Sequence, residues 1–188
     1  MRKFTTGEFE DFLRRVEGEL TLPCVIVLIG GGAVGLKYKG SHATTDLDLW
    51  SVSENGFWEA VTRANAGAAE RIPVQKAAIA EPPWCFEDRL IALQLKGLSK
   101  LTVLVPEAHD LVLMKVARGE AHDLDAIEDI HRASPLSLDT LVERYLETMP
   151  QVMGSKEMHR LNFLAAISRL FGERAAADAD LRTMPAAT

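Results

Sequence analysis

Apolar residues recur at helical spacing between Glu8 and Leu20: Phe9, Phe12, Leu13, Val16 and Leu20 share one face. The pattern predicts an amphipathic helix, with Thr6 as its candidate cap and Thr21-Leu22-Pro23 as its stop. Val25–Ile29 is continuously apolar and rich in β-branched residues, the signature of a buried strand. Gly30-Gly31-Gly32 ends that strand, and Ala33–Tyr38 reads as a short helix. Gly40–Thr44 is a polar loop. Asp46–Val52 alternates polar and apolar positions and reads as a strand. Gly56–Asn65 reads as a helix, Ile72–Ala80 as a strand, and Pro82-Pro83 as a forced irregular turn. Residues 86–97 are ambiguous between helix and loop. Leu101–Val105 is a strand stopped by Pro106, and Pro106–Arg118 a helix. Leu124–Ala133, Leu138–Met149 and Lys156–Phe171 follow as three more helices.

This order gives an α/β (α+β) protein: a small mixed sheet flanked by helices, then a helical C-terminal region. The expected division is 1–132 as the motif-bearing domain, 133–172 as a helical extension packed on it, and 173–188 as a flexible tail. Composition agrees with a folded chain. Of 188 residues, 47% are apolar, which suffices for a core and excludes wholesale disorder. No apolar run approaches the roughly 20 residues that cross a bilayer, so no membrane association is expected. Met1–Thr6 leads into acidic, helix-like sequence with no secretory pattern. Cys24 and Cys85 make neither a disulfide framework nor a metal-type pair, and are read as inert thiols. A cytoplasmic protein is expected. The net charge of −6 argues against generic coating of nucleic acid, although not against a local basic groove.

The first chemical motif is Gly30-Gly31-Gly32-Ala33-Val34-Gly35, directly after a buried strand. Its glycines permit a tight strand-to-helix turn and leave the helix start bare for phosphate. The bland alternative is close helix packing alone. The second motif is Thr44-Thr45-Asp46-Leu47-Asp48-Leu49-Trp50. Strand alternation puts Asp46 and Asp48 on one face and Leu47 and Leu49 on the other. Two carboxylates side by side repel, and a divalent cation is the natural counter-charge. The alternative is a solvated edge strand.

Gly30, Gly32 and Gly35 also match the dinucleotide-binding glycine pattern literally. That fold needs a full crossover helix, with its acidic residue about 20 residues on. The segment Ala33–Thr45 is short for this, and paired aspartates have no part in hydride transfer. They suit phosphoryl or nucleotidyl transfer, with metal on the carboxylates and triphosphate at a glycine-rich helix start.

These residues together resemble the nucleotidyltransferase superfamily, the polymerase-β-like fold. Its hallmark is an apolar strand, a Gly-Gly or Gly-Ser turn and a following Asp-x-Asp, matched here by Ile29-Gly30-Gly31 and Asp46-Leu47-Asp48. More closely, the chain is similar to the toxin branch of abortive-infection type IV toxin–antitoxin systems. The matching positions are Gly30, Gly31, Ala33, Tyr38, Thr44, Asp46, Asp48 and Leu49, with a second block at Asp110, Leu111, Lys115, Arg118 and Asp123. Two departures stand out: Glu120 and His122 occupy positions where basic residues are common. The resemblance spans about residues 25–132.

The resemblance implies a set of roles. Gly30, Gly31 and Gly32 offer amides to nucleotide phosphates, and Thr44 or Thr45 bonds a phosphate oxygen. Asp46 and Asp48 hold Mg²⁺. Lys115 and Arg118 contact phosphate, and Asp123 joins Asp46, Asp48 and Lys115 as a catalytic candidate. A third carboxylate is drawn from Glu81, Glu87, Asp88 or Asp123. Each has a plainer alternative: Lys115 snorkels or pairs with an acid, Asp123 caps a helix, and Arg118 complements a helix dipole. Lys37, Lys39 and His42 form a basic cluster between the motifs, either bordering the site or simply solvated. Trp50, Trp58 and Trp84 are read as packing residues.

The expected function is Mg²⁺-dependent transfer of a nucleotidyl group from an NTP to a hydroxyl acceptor. By resemblance, the acceptor is tRNA or another RNA, the setting a toxin, and the partner a cognate antitoxin protein. The competing readings are a degenerate member that binds nucleotide or a partner without turnover, and, ranked below it, a Rossmann-type dinucleotide binder.

Overall fold

The computed structural model describes residues 2–40, 44–77 and 81–184. They fall into two compact units, Met1–Ala78 with Arg89–Pro106 and Ile79–Asp88 with Glu107–Thr188. The fold is mixed α/β: one five-stranded mixed sheet with flanking helices, followed by helices.

The first unit holds the sheet. Helix α1 (Thr6–Glu19) starts two residues before the predicted Glu8, with Thr5 rather than Thr6 as its cap. Thr5 accepts from the Glu8 amide while the Glu8 carboxylate accepts from the Thr5 amide, a reciprocal capping box. The stripe Phe9, Phe12, Leu13 and Val16 is fully buried, each side chain contributing about 1.5–3 kcal/mol relative to exposure. The inner end of α1 is tied by Glu17, a buried carboxylate that accepts from the amides of Ser99, Lys100 and Leu101.

Strand β1 (Cys24–Ile29) passes directly into α2 (Gly30–Tyr38), so the glycines form the first helical turn and not a separate loop. Strand β2 (Leu47–Val52), α3 (Phe57–Ala64), β3 (Val74–Lys76), β4 (Ile91–Ala92) and β5 (Leu101–Val105) complete the unit. The sheet order is β3-β2-β1-β5-β4. Strand β1 is central, antiparallel to β2 and parallel to β5, which accounts for its unbroken apolar run. Strand β3 is parallel to β2 at one edge, and β4 antiparallel to β5 at the other. Both edge strands are two or three residues long, which limits edge-to-edge pairing. Helix α1 packs on α2 and α3. Tyr38 closes the far end of α2, its buried hydroxyl donating to the Pro106 carbonyl at 3.1 Å. The ambiguous stretch 86–97 resolves into a 3₁₀ turn, Phe86–Arg89, and the strand β4. Trp84 is 53% exposed and so is not a core residue.

The second unit is helical: α4 (Ala108–Arg118), α5 (Ala121–Ala133), α6 (Leu138–Thr148), α7 (Lys156–Phe171) and α8 (Glu173–Thr183). Helix α4 starts at Ala108, two residues after Pro106, because Glu107 is its cap. It packs against α5, α6 and α7. Gly119 ends it in the left-handed region (φ 66°), where a Cβ would clash with the Asn162 side-chain amide. Tyr145 stacks on Phe163 at 4.1 Å between α6 and α7. Of the stretch after Gly172, expected to be flexible, Glu173–Thr183 is instead helix α8. Its alanine-rich sequence favours helix, Ala176, Ala179 and Thr183 are buried, and Asp180 pairs with Arg160 of α7. Among the described residues no helix is long and apolar enough to cross a membrane.

Candidate active site

The two sequence motifs of the first unit meet at one end of the sheet. In the β1–β2 ladder Ile29 lies opposite Asp48, so the residue after Ile29 faces the second aspartate. Gly30 takes a left-handed conformation (φ 66°), and a Cβ there would sit 2.8 Å from Asp48 Oδ2. The two neighbouring glycines are equally constrained. A Cβ on Gly31 would lie 2.8 Å from Thr44 Cβ, and one on Gly32 would lie 2.7 Å from Leu47 Cδ2. Each glycine of the triplet thus lies close against one residue of the Thr44–Asp48 segment. The close-packing reading of the glycines is correct, and the same packing sets the aspartates at the start of α2. The residue before that helix, Ile29, supplies no capping side chain, so the first amides of α2 are not capped from within it.

Asp46 precedes β2 and Asp48 lies in it, both half-buried, while Leu47 and Leu49 are fully buried on the opposite face. The alternation expected of this strand is present. Thr44 Oγ1 donates to Asp46 Oδ1 at 3.3 Å, and the Thr44 carbonyl accepts from the Phe4 amide at 2.7 Å, pinning this segment. Thr45 is half-buried in the bend before β2.

The group between the two aspartates was not foreseen. Gln75 of β3 lies opposite Asp48 in the parallel β2–β3 register. Its Nε2 donates to Asp48 Oδ1 at 3.0 Å and to Asp46 Oδ2 at 3.1 Å. One amide nitrogen thus answers both carboxylates. The sequence carried half of this signal: a strand was predicted across residue 75. Which strand it pairs with, and in what register, is a tertiary fact.

The second motif block forms a separate cluster in the helical unit. Lys115 Nζ donates to Asp123 Oδ1 at 3.0 Å, and both side chains are almost fully buried. Arg118 Nε donates to Asp123 Oδ2 at 2.8 Å, and Arg118 Nη2 also reaches Oδ1. Burial of Asp123 opposes its charge, but Arg118 and Lys115 outweigh that and hold its carboxyl below the usual aspartate range. Asp123 is the third residue of α5, not its cap, and reaches back to the Glu120 amide at 3.3 Å. His122 is exposed, 3.1 Å from Arg118 and 3.3 Å from Glu120. The alternative in which Lys115 pairs with an acid is the one adopted.

A neighbouring network holds Asp110, which is fully buried 3.0 Å from Arg144. Arg144 also binds Glu107. Burial pushes the Glu107 carboxyl up, yet hydrogen bonds from His109 and Arg144 bring it down to about 2.

The third-carboxylate candidates Glu81, Glu87, Asp88 and Asp123 all belong to the helical unit. Glu87 and Asp88 are exposed in the 3₁₀ turn. Lys37 is half-buried and Lys39 exposed at the end of α2, whereas His42 lies outside the described residues. Among the described residues, no group of three or more His, Cys, Asp or Glu is gathered for a metal ion.

Comparison with protein families adds to this geometry. Residues 9–171 match the family described as "nucleotidyltransferase of unknown function (DUF6036)". The chain belongs to that family. The match takes in the glycine triplet, both aspartates, Gln75, and the Lys115–Arg118–Asp123 cluster. No curated protein and no solved structure matches this nucleotidyltransferase-family chain.

Proposed function

We propose that the chain is a Mg²⁺-dependent nucleotidyltransferase whose reacting centre is the Asp46–Asp48 face at the start of α2. The observation that carries this reading is the contact of Gly30 with Asp48: removal of a single Cβ brings a helix N-terminus and a carboxylate pair to one place. Family membership supports nucleotidyl transfer as the general chemistry. The donor set fits a hard divalent cation, since two carboxylates converge on one point and Mg²⁺ takes one or two carboxylates together with water and substrate phosphates. Bound there, the ion would supply Lewis-acid stabilisation of the phosphoryl oxygens.

In the reaction, an acceptor hydroxyl oxygen bonds to the α-phosphorus of an NTP. The bond from that phosphorus to the bridging oxygen breaks, pyrophosphate leaves, and the hydroxyl proton passes to a base. Gly30, Gly31 and Gly32 would present amides to the triphosphate, and Thr44 and Thr45 would orient it. Lys115 and Arg118 would supply positive charge to the phosphates, with Asp123 as their counter-charge. The acceptor is proposed to be RNA, tRNA in particular, in the cytoplasm. The biological setting is proposed to be that of a toxin held by an antitoxin.

A second reading, binding without turnover, is favoured by one observation: Lys115 and Asp123 are engaged with each other. One assay separates the two. Purified protein is given each labelled NTP with bulk cellular RNA, in Mg²⁺ or in EDTA, with Asp46→Asn as control. Label on RNA that requires both metal and Asp46 supports the enzyme. Label on the protein itself redirects the acceptor to protein. Folded protein that binds NTP with Mg²⁺ but transfers nothing to RNA or protein favours the second reading.

A further inference from the structure

We propose that Gln75 is the third ligating group of this centre, its side-chain oxygen turning toward a divalent cation held by Asp46 and Asp48. The inference rests on the metal reading given above and adds to it a residue outside both sequence motifs. Three observations carry it.

The first is register. Gln75 is the direct partner of Asp48 in the parallel β2–β3 pair, so the two side chains leave the sheet on the same face. The second is the shared nitrogen. Carboxylates only accept hydrogen bonds, so the amide presents Nε2 to both, at 3.0 and 3.1 Å. A positively polarised group thus stands between the two acids, where a cation would neutralise them. Half a turn about the terminal torsion exchanges that NH₂ for Oε1 at the same place. The amide oxygen is an accepted ligand for hard cations. The third is access. Gln75 is exposed on a three-residue edge strand, so its amide is open to solvent and to an ion arriving from it.

The arrangement also explains the charge balance. Two carboxylates and one neutral amide match the charge of a single divalent ion. Without the ion, the NH₂ face of Gln75 reduces the repulsion between Asp46 and Asp48. With it, the oxygen face completes the ligand set. One side chain serves both states because an amide carries a donor and an acceptor on the same carbon.

The test measures binding of Mn²⁺, a spectroscopic substitute for Mg²⁺, by the loss of its free-ion paramagnetic resonance signal. It is applied to the whole chain, with Gln75→Leu, Gln75→Glu and the double variant Asp46→Asn/Asp48→Asn. Because Gln75 is exposed, both substitutions should leave the chain folded, with a lower melting temperature in the absence of metal, most so for Gln75→Glu, which adds a third negative charge beside Asp46 and Asp48. Gln75→Leu is expected to weaken Mn²⁺ by roughly tenfold, and Gln75→Glu to tighten it, through the added charge, by a similar factor. The double aspartate variant is expected to bind none. Gln75→Leu that binds Mn²⁺ as tightly as the parent, or more tightly, overturns the inference: the amide would then be a bystander or a competitor of the ion. If the parent itself shows no aspartate-dependent Mn²⁺ binding, the metal reading fails and the role of Gln75 fails with it.

Discussion

Gly30 and Asp48 are in contact through an absent atom: a Cβ on the glycine would stand 2.8 Å from the aspartate's Oδ2. Gly30 also has a φ of 66°, which L side chains adopt at a cost of about 1–2 kcal/mol. Gly30→Ala should therefore lower stability by roughly that amount and displace the Asp48 carboxylate. Thermal melting reads the first effect and transfer activity the second. Parental activity in a folded Gly30→Ala variant would remove the close approach from the mechanism.

Asp46→Asn should cut nucleotidyl transfer by at least about a hundredfold, the order lost when a charge-stabilising group is removed from a reacting centre. The fold should persist, because Asp46 is half-buried and the change removes one of two neighbouring negative charges. Transfer rates and circular dichroism on the same preparation check both halves. Activity within a fewfold of the parent would take Asp46 out of the centre.

Lys115→Met should destabilise the helical unit before any nucleotide is added. The substitution leaves Asp123 buried with Arg118 as its remaining cationic partner. Removing one member of a buried ion pair costs about 3–5 kcal/mol, and the surviving Arg118 contact puts this case near the lower end. Urea unfolding measures it. A parental unfolding midpoint together with a raised KM for NTP would make Lys115 a phosphate contact with no structural duty.

Acid should unfold the helical unit in two stages. Burial holds the His159 imidazole below its ordinary value of 6.5, outweighing the opposing charge of Glu81. The unfolded chain then binds this proton more readily, so stability is full above about pH 6.5 and declines as pH falls below it. Glu107, held at about 2 against an ordinary 4.5, keeps its contribution above about pH 4.5 and loses it as pH falls toward 2. Unfolding midpoints across this range should show both windows. His159→Gln should flatten the upper one and Glu107→Gln the lower one. A profile unchanged in either variant would assign that window to other groups.

Much of the fold was legible from local pattern. Leu101–Val105 and Lys156–Phe171 form over the residues their pattern marks: the strand buries alternate residues Leu101, Val103 and Val105, and the helix buries His159, Phe163, Ala166 and Ile167 at helical spacing. The alternation of Asp46-Leu47-Asp48-Leu49 put both carboxylates on one face by backbone geometry alone. Helix ends were less legible. The α1 cap moved from Thr6 to Thr5 because capping depends on which side chain meets the first free amides, not on residue type alone. The segment after Gly172 looked loose because its apolar residues are small. Alanines bury well only where neighbouring helices come close, and periodicity does not report that.

The sequence by itself determined the chemistry on offer: a glycine-rich helix start, two carboxylates on a strand, and a lysine, arginine and aspartate in a helical block. Tertiary structure decided which partners those groups meet. Strand pairing put Gln75 between the two aspartates, since register joins residues 27 or more positions apart. Burial of α4 and α5 joined Lys115 to Asp123, because a charge removed from water needs a partner within hydrogen-bond reach. Local sequence sets what a residue can do, and the long-range contacts that fold it select which of those things it does.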